Sequence, residues 1–485
     1  MKVKPLLFLI RRWLGVGMCL LFALWFASGI VMMYVEYPEL TVEERLENLP
    51  ALEIEKIRLS PFQASKTIRT ESAFSSVKLT SITSRPAYKF ESSSRIPYFV
   101  YADTGELFSG FDEKSAVMVA SFSGFNKIGS SPSYEKSLEL DQWTVSAGLD
   151  QFRPLHKVNL NDAAGTELYI SDKSGQVVRD THRSERFWNW LGSTIHWIYP
   201  VQLRKNAALW NDVIVYISVL GVFSVVTGGI IGFMRIRVRS PYQGKRISPY
   251  RGWMKWHHIV GLCSLVFVST FIFSGLMSMG PWGVFSANTS ARTQMDRYTG
   301  GDTLQLSNLP LPEYSILSLP LKEIEWHKIQ NQPYYTIVYS LDKKEVSFSD
   351  SSNSSQSTLL LSKINEAIPQ LLPSSKLLSM EIIQQPDDYY YSRHNRYRPF
   401  PVYRAKFDDP ESTWYHIDLA SGEIVNRVTD ASRRERWLYN GLHSLDFQFL
   451  LQKRPMWDLL VILLSLIGFV FSLTSVVIGW RRLIR

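Results

Sequence analysis

His196 and His443 lie 247 positions apart, and neutral imidazole is a common ligand for metal ions and haem iron. His196 closes the run Trp190-Leu191-Gly192-Ser193-Thr194-Ile195-His196, and His443 closes Trp437-Leu438-Tyr439-Asn440-Gly441-Leu442-His443. At the same offset Ser174-Gly175 falls on Ser421-Gly422, Trp210 on Trp457, Gly221 on Gly468, Thr227 on Thr474 and Gly232 on Gly479. The second half of the chain therefore repeats the first. A pseudo-two-fold arrangement sets equivalent residues across an axis, where His196 and His443 can share one ligand. The competing reading makes each a polar residue of an interfacial amphipathic helix.

The elements that would position them are apolar helices. Stretches 13–34, 213–234, 257–280 and 457–480 are long enough to cross a ~30 Å hydrocarbon layer, with Trp or Tyr at several ends. Their flanks carry cations: Lys2, Lys4, Arg11 and Arg12; seven Lys and Arg from Arg235 to Lys255 with no acid; and Arg481, Arg482 and Arg485. The positive-inside rule makes 1–12, 235–256 and 481–485 cytoplasmic, with both termini inside and the first helix an uncleaved anchor. The net charge of +9 is largely this topology signal and gives no reason to expect nucleic acid.

The polar segments 35–208 and 281–456 then face outward, into a periplasm where one exists. Alternating runs such as Tyr335-Ile337-Tyr339 and Tyr415-Ile417 read as half-buried strands. Tight turns recur at Asp103-Thr104-Gly105, Asp172-Lys173-Ser174-Gly175 and Asp418-Leu419-Ala420-Ser421-Gly422, each between apolar strands, with Gly supplying positive φ. The fold class is a membrane α-helical protein: four transmembrane helices in a two-fold internal repeat, with two exported α+β domains. The only cysteines, Cys19 and Cys263, lie in spans, so the exported domains are expected to lack disulfides.

With these hairpins, four spans and a histidine ahead of spans two and four, the chain resembles the PepSY-associated transmembrane proteins. The likeness is strongest over 186–235, 255–275 and 433–482. It implies PepSY-like exported domains and an iron-regulated inner-membrane protein, with some relatives thought to be haem-containing reductases of ferric siderophores. The function expected is electron delivery to an exported ferric substrate through haem b held axially by His196 and His443. Quinol or a cytoplasmic reductase would be the donor. The alternative is a non-enzymatic membrane protein whose domains bind or regulate proteases or envelope assembly partners. A transport accessory is a third reading, disfavoured because the apolar stretches 13–34, 213–234, 259–279 and 459–480 carry no charge.

The resemblance also directs attention to His257 and His258, which open span three and could hold a second, inner haem. Neighbouring helix residues point about 100° apart, so at most one faces the bundle. Aligning Gly15, Ser28 and Gly29 with Gly261, Ser274 and Gly275 places Arg11 and Arg12 opposite these histidines, where relatives commonly carry His. Arginine cannot serve as a ligand, so one outer haem is expected over two. Arg11 or Arg12 could pair a propionate or simply set topology. Met33 and Met279 also align, as minor ligand candidates or as packing residues.

The aromatic and basic run 389–398 could face an anionic chelate, or be a surface loop or edge strand. The Ser-rich stretch 347–357 reads as a flexible loop. No Gly-rich nucleotide loop, His-Glu-x-x-His motif or nucleophile elbow occurs.

Overall fold

The computed structural model describes residues 3–70, 73–92, 97–287, 289–314, 320–348, 355–393 and 396–484. The chain divides into two compact units. One gathers Met1–Tyr37, Glu185–Ser286 and Ala431–Arg485; the other gathers Pro38–Ser184 and Ala287–Asp430.

The first unit is helical: α1 (Val3–Met32), α2 (Ala207–Arg235), α3 (Trp253–Cys263), α4 (Leu265–Met277) and α5 (Met456–Leu483). Helices α1, α2 and α5 are each long and apolar enough to cross a membrane. The Asn206 side chain caps α2 by accepting from the Leu209 N–H at 3.1 Å. Small residues bring the helices close. A Cβ on Gly468 would strike the Phe26 ring, and one on Gly221 would lie 3.2 Å from Ile272.

A single helix over 257–280 is replaced by α3 and α4, bent by 72°. Ser264 sits at the break with φ −89° and ψ −4°, off the helical path, three residues after Gly261. If the bent pair counts as one span, the chain has four. The first helix also starts earlier than expected, so Arg11 and Arg12 lie inside it. Residues 185–208 and 431–456, expected within the exported segments, belong to the helical unit.

The second unit is α+β. Strands β1 (Phe74–Ile82), β2 (Arg85–Ser92) and β3 (Tyr98–Tyr101) come from the first polar segment, followed by β4 (Ser133–Leu138), β5 (Leu155–Asn159), β6 (Glu167–Ser171) and β7 (Val177–Thr181). The second segment supplies β8 (Glu323–Ile329), β9 (Gln332–Val338), β10 (Lys344–Phe348), β11 (Leu377–Ile383), β12 (Val402–Phe407), β13 (Trp414–Asp418) and β14 (Ile424–Val428). Strands β4 to β7 form one antiparallel sheet and β11 to β14 another; helices Glu113–Phe122 and Gln356–Leu371 each cover one through buried Ala, Ile and Leu. The remaining strands make a six-stranded sheet in the order β10-β9-β8-β1-β2-β3.

Separate domains over 35–208 and 281–456 are thus not what forms. The segments are joined through β1 and β8, where Val77 pairs with Trp326, above a shared core of Leu79, Tyr88, Phe90 and Ile324. Glu323 on β8 is almost fully buried at this seam. It accepts both Arg45 Nη atoms at 2.7–2.8 Å and the Thr80 hydroxyl at 2.9 Å, with Lys78 Nζ at 3.3 Å. Burial pushes its carboxyl up, but Lys78 and Arg45 outweigh burial and hold it below its ordinary value.

The three expected turns carry glycine at positive φ: Gly105 at 77°, Gly175 at 64° and Gly422 at 74°. At the third, Asp418 accepts from the Ala420 N–H at 3.0 Å and the Ser421 hydroxyl at 2.7 Å. The run 389–398 is mixed: Tyr390 is buried and stacks on His416 at 4.6 Å and Tyr389 meets Trp414 edge-on, while Ser392, Arg396 and Tyr397 are exposed. His394 and Asn395 of that run, and residues 349–354 of the Ser-rich stretch, lie outside the described residues.

Candidate functional site

Each candidate outer histidine follows an irregular turn of helix. Five-residue-spaced π-turns cover Trp190–Thr194 and Arg436–Gly441, and His196 and His443 each come two residues later. Next comes a residue in the left-handed region, Ile198 at φ 48° and Leu445 at φ 50°, costly for both and above all for β-branched Ile198. An indole then ties each bend to the following helix. Trp210 Nε1 donates to the carbonyls of Trp197 and Ile198 at 3.0 and 3.1 Å, and Trp457 Nε1 donates to that of Ser444 at 2.9 Å.

The rings of His196 and His443 meet, with centroids 6.0 Å apart and planes at 67°. Their Nδ1 atoms have matching partners. His196 Nδ1 lies 3.1 Å from both the Trp25 carbonyl and Ser28 Oγ. His443 Nδ1 lies 3.1 Å from both the Phe271 carbonyl and Ser274 Oγ. A carbonyl can only accept, and each serine hydroxyl already donates to a backbone carbonyl, Ser28 to Leu24 at 2.7 Å and Ser274 to Phe271 at 3.1 Å. Both imidazoles therefore carry their proton on Nδ1 and the ligating lone pair on Nε2. Glycines flank them: a Cβ on Gly29 or Gly275 would lie 3.4 Å from the respective imidazole Cε1.

Two neutral imidazoles on opposite sides of one metal ion, at the usual ~2 Å metal–nitrogen distance, have centroids about 6 Å apart. A backbone carbonyl holding the other ring nitrogen is the usual outer support of such a ligand. Two neutral imidazoles with Nδ1 held in this way form a donor set chemically suited to haem iron.

The other two histidines separate. His258 is buried, with Nδ1 2.8 Å from Ser248 Oγ and Nε2 2.9 Å from the Gly232 carbonyl. The carbonyl fixes the proton on Nε2, so Nδ1 spends its lone pair on the serine hydroxyl. Both ring nitrogens of His258 are thus engaged by protein groups, although its side chain borders the same cavity as His257. His257 stacks on Phe471 at 4.8 Å and 9°, with Nδ1 3.0 Å from Thr474 Oγ1. It lines a cavity of about 320 Å³ together with Arg11, Arg12 and Arg482. Met33 and Met279 pack in different apolar clusters, the first beside Trp457 and the second beside Val215 and Leu276.

In the second unit, ligand atoms of Glu325, His327 and Glu423 lie within 4.8 Å of one another, a grouping that needs β8 beside the β13–β14 turn and had no sequence signal. Lys78 already pairs with Glu325, and His327 Nε2 lies 3.5 Å from the same carboxylate. Burial lowers the His327 pKa, but Glu325 and Glu423 reverse this and raise it. Lys78 thus already supplies a cation to this cluster.

Apolar helices long enough to span a bilayer, together with soluble α+β parts, define a membrane protein. The family model described as the PepSY-associated TM region matches residues 10–333, and the chain belongs to that family. No curated protein matches the chain significantly.

Proposed function

We propose that this protein is an inner-membrane electron carrier that uses haem b, bound by His196 and His443, to reduce an exported ferric substrate such as a ferric siderophore. The observation that carries the proposal is the paired imidazole geometry: two rings 6.0 Å apart, each with Nδ1 held by a carbonyl and a serine from a neighbouring helix. The iron would supply the one-electron step. The chain's own part would be to fix both tautomers through the Trp25 and Phe271 carbonyls and to pack Phe271 and Tyr439 against the His443 ring.

In this reading the chain is a duplicated unit with four spans and both termini in the cytoplasm. The polar segments are then exported, and His196 and His443 precede spans two and four at their outer ends. The α+β sheets would be its PepSY-like parts. Quinol or a cytoplasmic reductase would supply electrons.

Mixing the anaerobically reduced protein with a ferric trihydroxamate tests this activity. Rapid reoxidation with formation of ferrous iron is expected. A protein that stays reduced with a range of ferric chelates would contradict the proposed reaction.

A further inference from the structure

At the end of the helical unit remote from the histidine pair lies the cavity of about 320 Å³, within the range of small-molecule sites. All the membrane helices contribute to its wall. Along α1 the lining runs from Phe8 to Phe22, roughly 21 Å of helix at 1.5 Å per residue. One end is cationic; the rest is apolar, with Met18, Phe22, Leu265 and Val268.

Arg11 is drawn inward rather than out to the surface. Glycine makes this possible, because a Cβ on Gly228 would lie 2.8 Å from Arg11 Nε, and one on Gly15 would strike the guanidinium. Among the described residues Arg11 has no carboxylate or carbonyl partner, and no acidic residue lines the cavity. A guanidinium set inside a membrane bundle without an anionic partner marks a ligand site. His257 adds the opposite capacity. Two hydroxyls lie near His257 Nδ1, Thr474 Oγ1 at 3.0 Å and Ser475 Oγ at 3.2 Å; the Thr474 hydroxyl already donates to the Phe471 carbonyl at 2.6 Å, so Thr474 Oγ1 accepts the Nδ1 proton. Nε2 is then an acceptor in the cavity wall.

We propose that this cavity binds a lipid-soluble quinone, whose oxygens are held by Arg11 and His257. Arg11 donates to a quinone carbonyl; His257 Nε2 accepts the hydroxyl proton of the reduced form. Phe471, already stacked on His257, offers an aromatic neighbour to the ring, and the apolar wall accommodates the start of the tail. A phospholipid headgroup would use the arginines but has little call on a deep apolar wall. A bis-imidazole haem would need a second free imidazole, and among the described residues lining the cavity the other imidazole, His258, is engaged by Ser248 and Gly232. The site's role as the electron entry point rests on the carrier reading above; the binding does not.

The test is calorimetric titration of the full-length purified protein with decylubiquinone, for wild type, Arg11→Gln and His257→Leu. Saturable binding is expected for wild type, at least tenfold weaker in each variant, with thermal midpoints retained. Should either variant unfold, quinone content in lipid extracts of the purified wild type decides: a stoichiometric fraction supports the site, and phospholipid without quinone overturns it. No saturable binding by wild type, equal affinity in all three proteins, or two haems per chain would also overturn it. The titration can be run on haem-free protein. Colourless protein that binds quinone would sink the carrier reading alone, and haem-loaded protein that binds none would sink this one.

Discussion

The two ends of the helical unit use the same residue types differently. At one end His196 and His443 have matching surroundings: carbonyls of Trp25 and Phe271, hydroxyls of Ser28 and Ser274, and flanking Gly29 and Gly275. At the other end His257 faces a space into which Arg11 projects, and His258 is tied to Ser248 and Gly232. Symmetry at the first end suits a shared metal-centred ligand. At the second, an arginine stands where a matching imidazole would be needed. Replacing a ligand by a permanent cation converts a place for coordination into a place for hydrogen bonding to oxygen.

The largest effect short of removing a ligand should come from Gly275→Val or Gly29→Val. Their added carbons would reach past the 3.4 Å approach to each imidazole and push the ring aside. Haem content per chain, measured by pyridine haemochrome, should fall at least tenfold in either variant. Loss in only one would break the equivalence of the two halves.

A smaller effect separates the soluble unit from the bundle. His416 is fully buried and accepts from Arg404 Nε at 2.7 Å; burial first, then Arg404, pushes its pKa down to about 3. A base with a depressed folded pKa binds protons more readily when unfolded. Stability is therefore lost as pH falls below 6.5, by about 2 kcal/mol at pH 5 at ~1.4 kcal/mol per unit. His327 does not oppose this, since a raised group keeps its full contribution below its ordinary pKa. Tryptophan fluorescence should show the thermal midpoint of the soluble unit falling between pH 6.5 and 5 in wild type and changing little in His416→Asn.

Ser28→Ala and Ser274→Ala should each weaken haem retention by about 1 kcal/mol, roughly fivefold, because the backbone carbonyl still holds Nδ1. Competition with an apoprotein haem acceptor would read both, and near-equal values are expected. Met33→Leu and Met279→Leu should do least, under about 1.5 kcal/mol in stability with no spectral change, since both thioethers pack in apolar clusters. A spectral change would make one of them a ligand.

The sequence was most legible where a residue's role is local or repeated. Charge-free apolar runs gave the spans, Gly105, Gly175 and Gly422 gave the turns, and the offset paired His196 with His443. Less was legible where distant segments meet. The pairing of β1 with β8 joins residues far apart in sequence, and the buried Glu323 at that seam looks like any strand glutamate until Arg45 and Lys78 surround it. The bend at Ser264 lay inside an uninterrupted apolar run. The fate of His258 depended on Ser248 and a carbonyl of α2, which no spacing rule reports. The contrast of Arg11 with His257 was visible, but the cavity between them was not.

The most direct test of the histidine pair is an optical spectrum of the detergent-purified protein, oxidised and dithionite-reduced, for wild type, His196→Ala and His443→Ala. The account predicts a low-spin b-type spectrum in wild type that each single substitution abolishes or turns high-spin. A colourless wild type from haem-replete cells, or a spectrum unchanged in both variants, would contradict it.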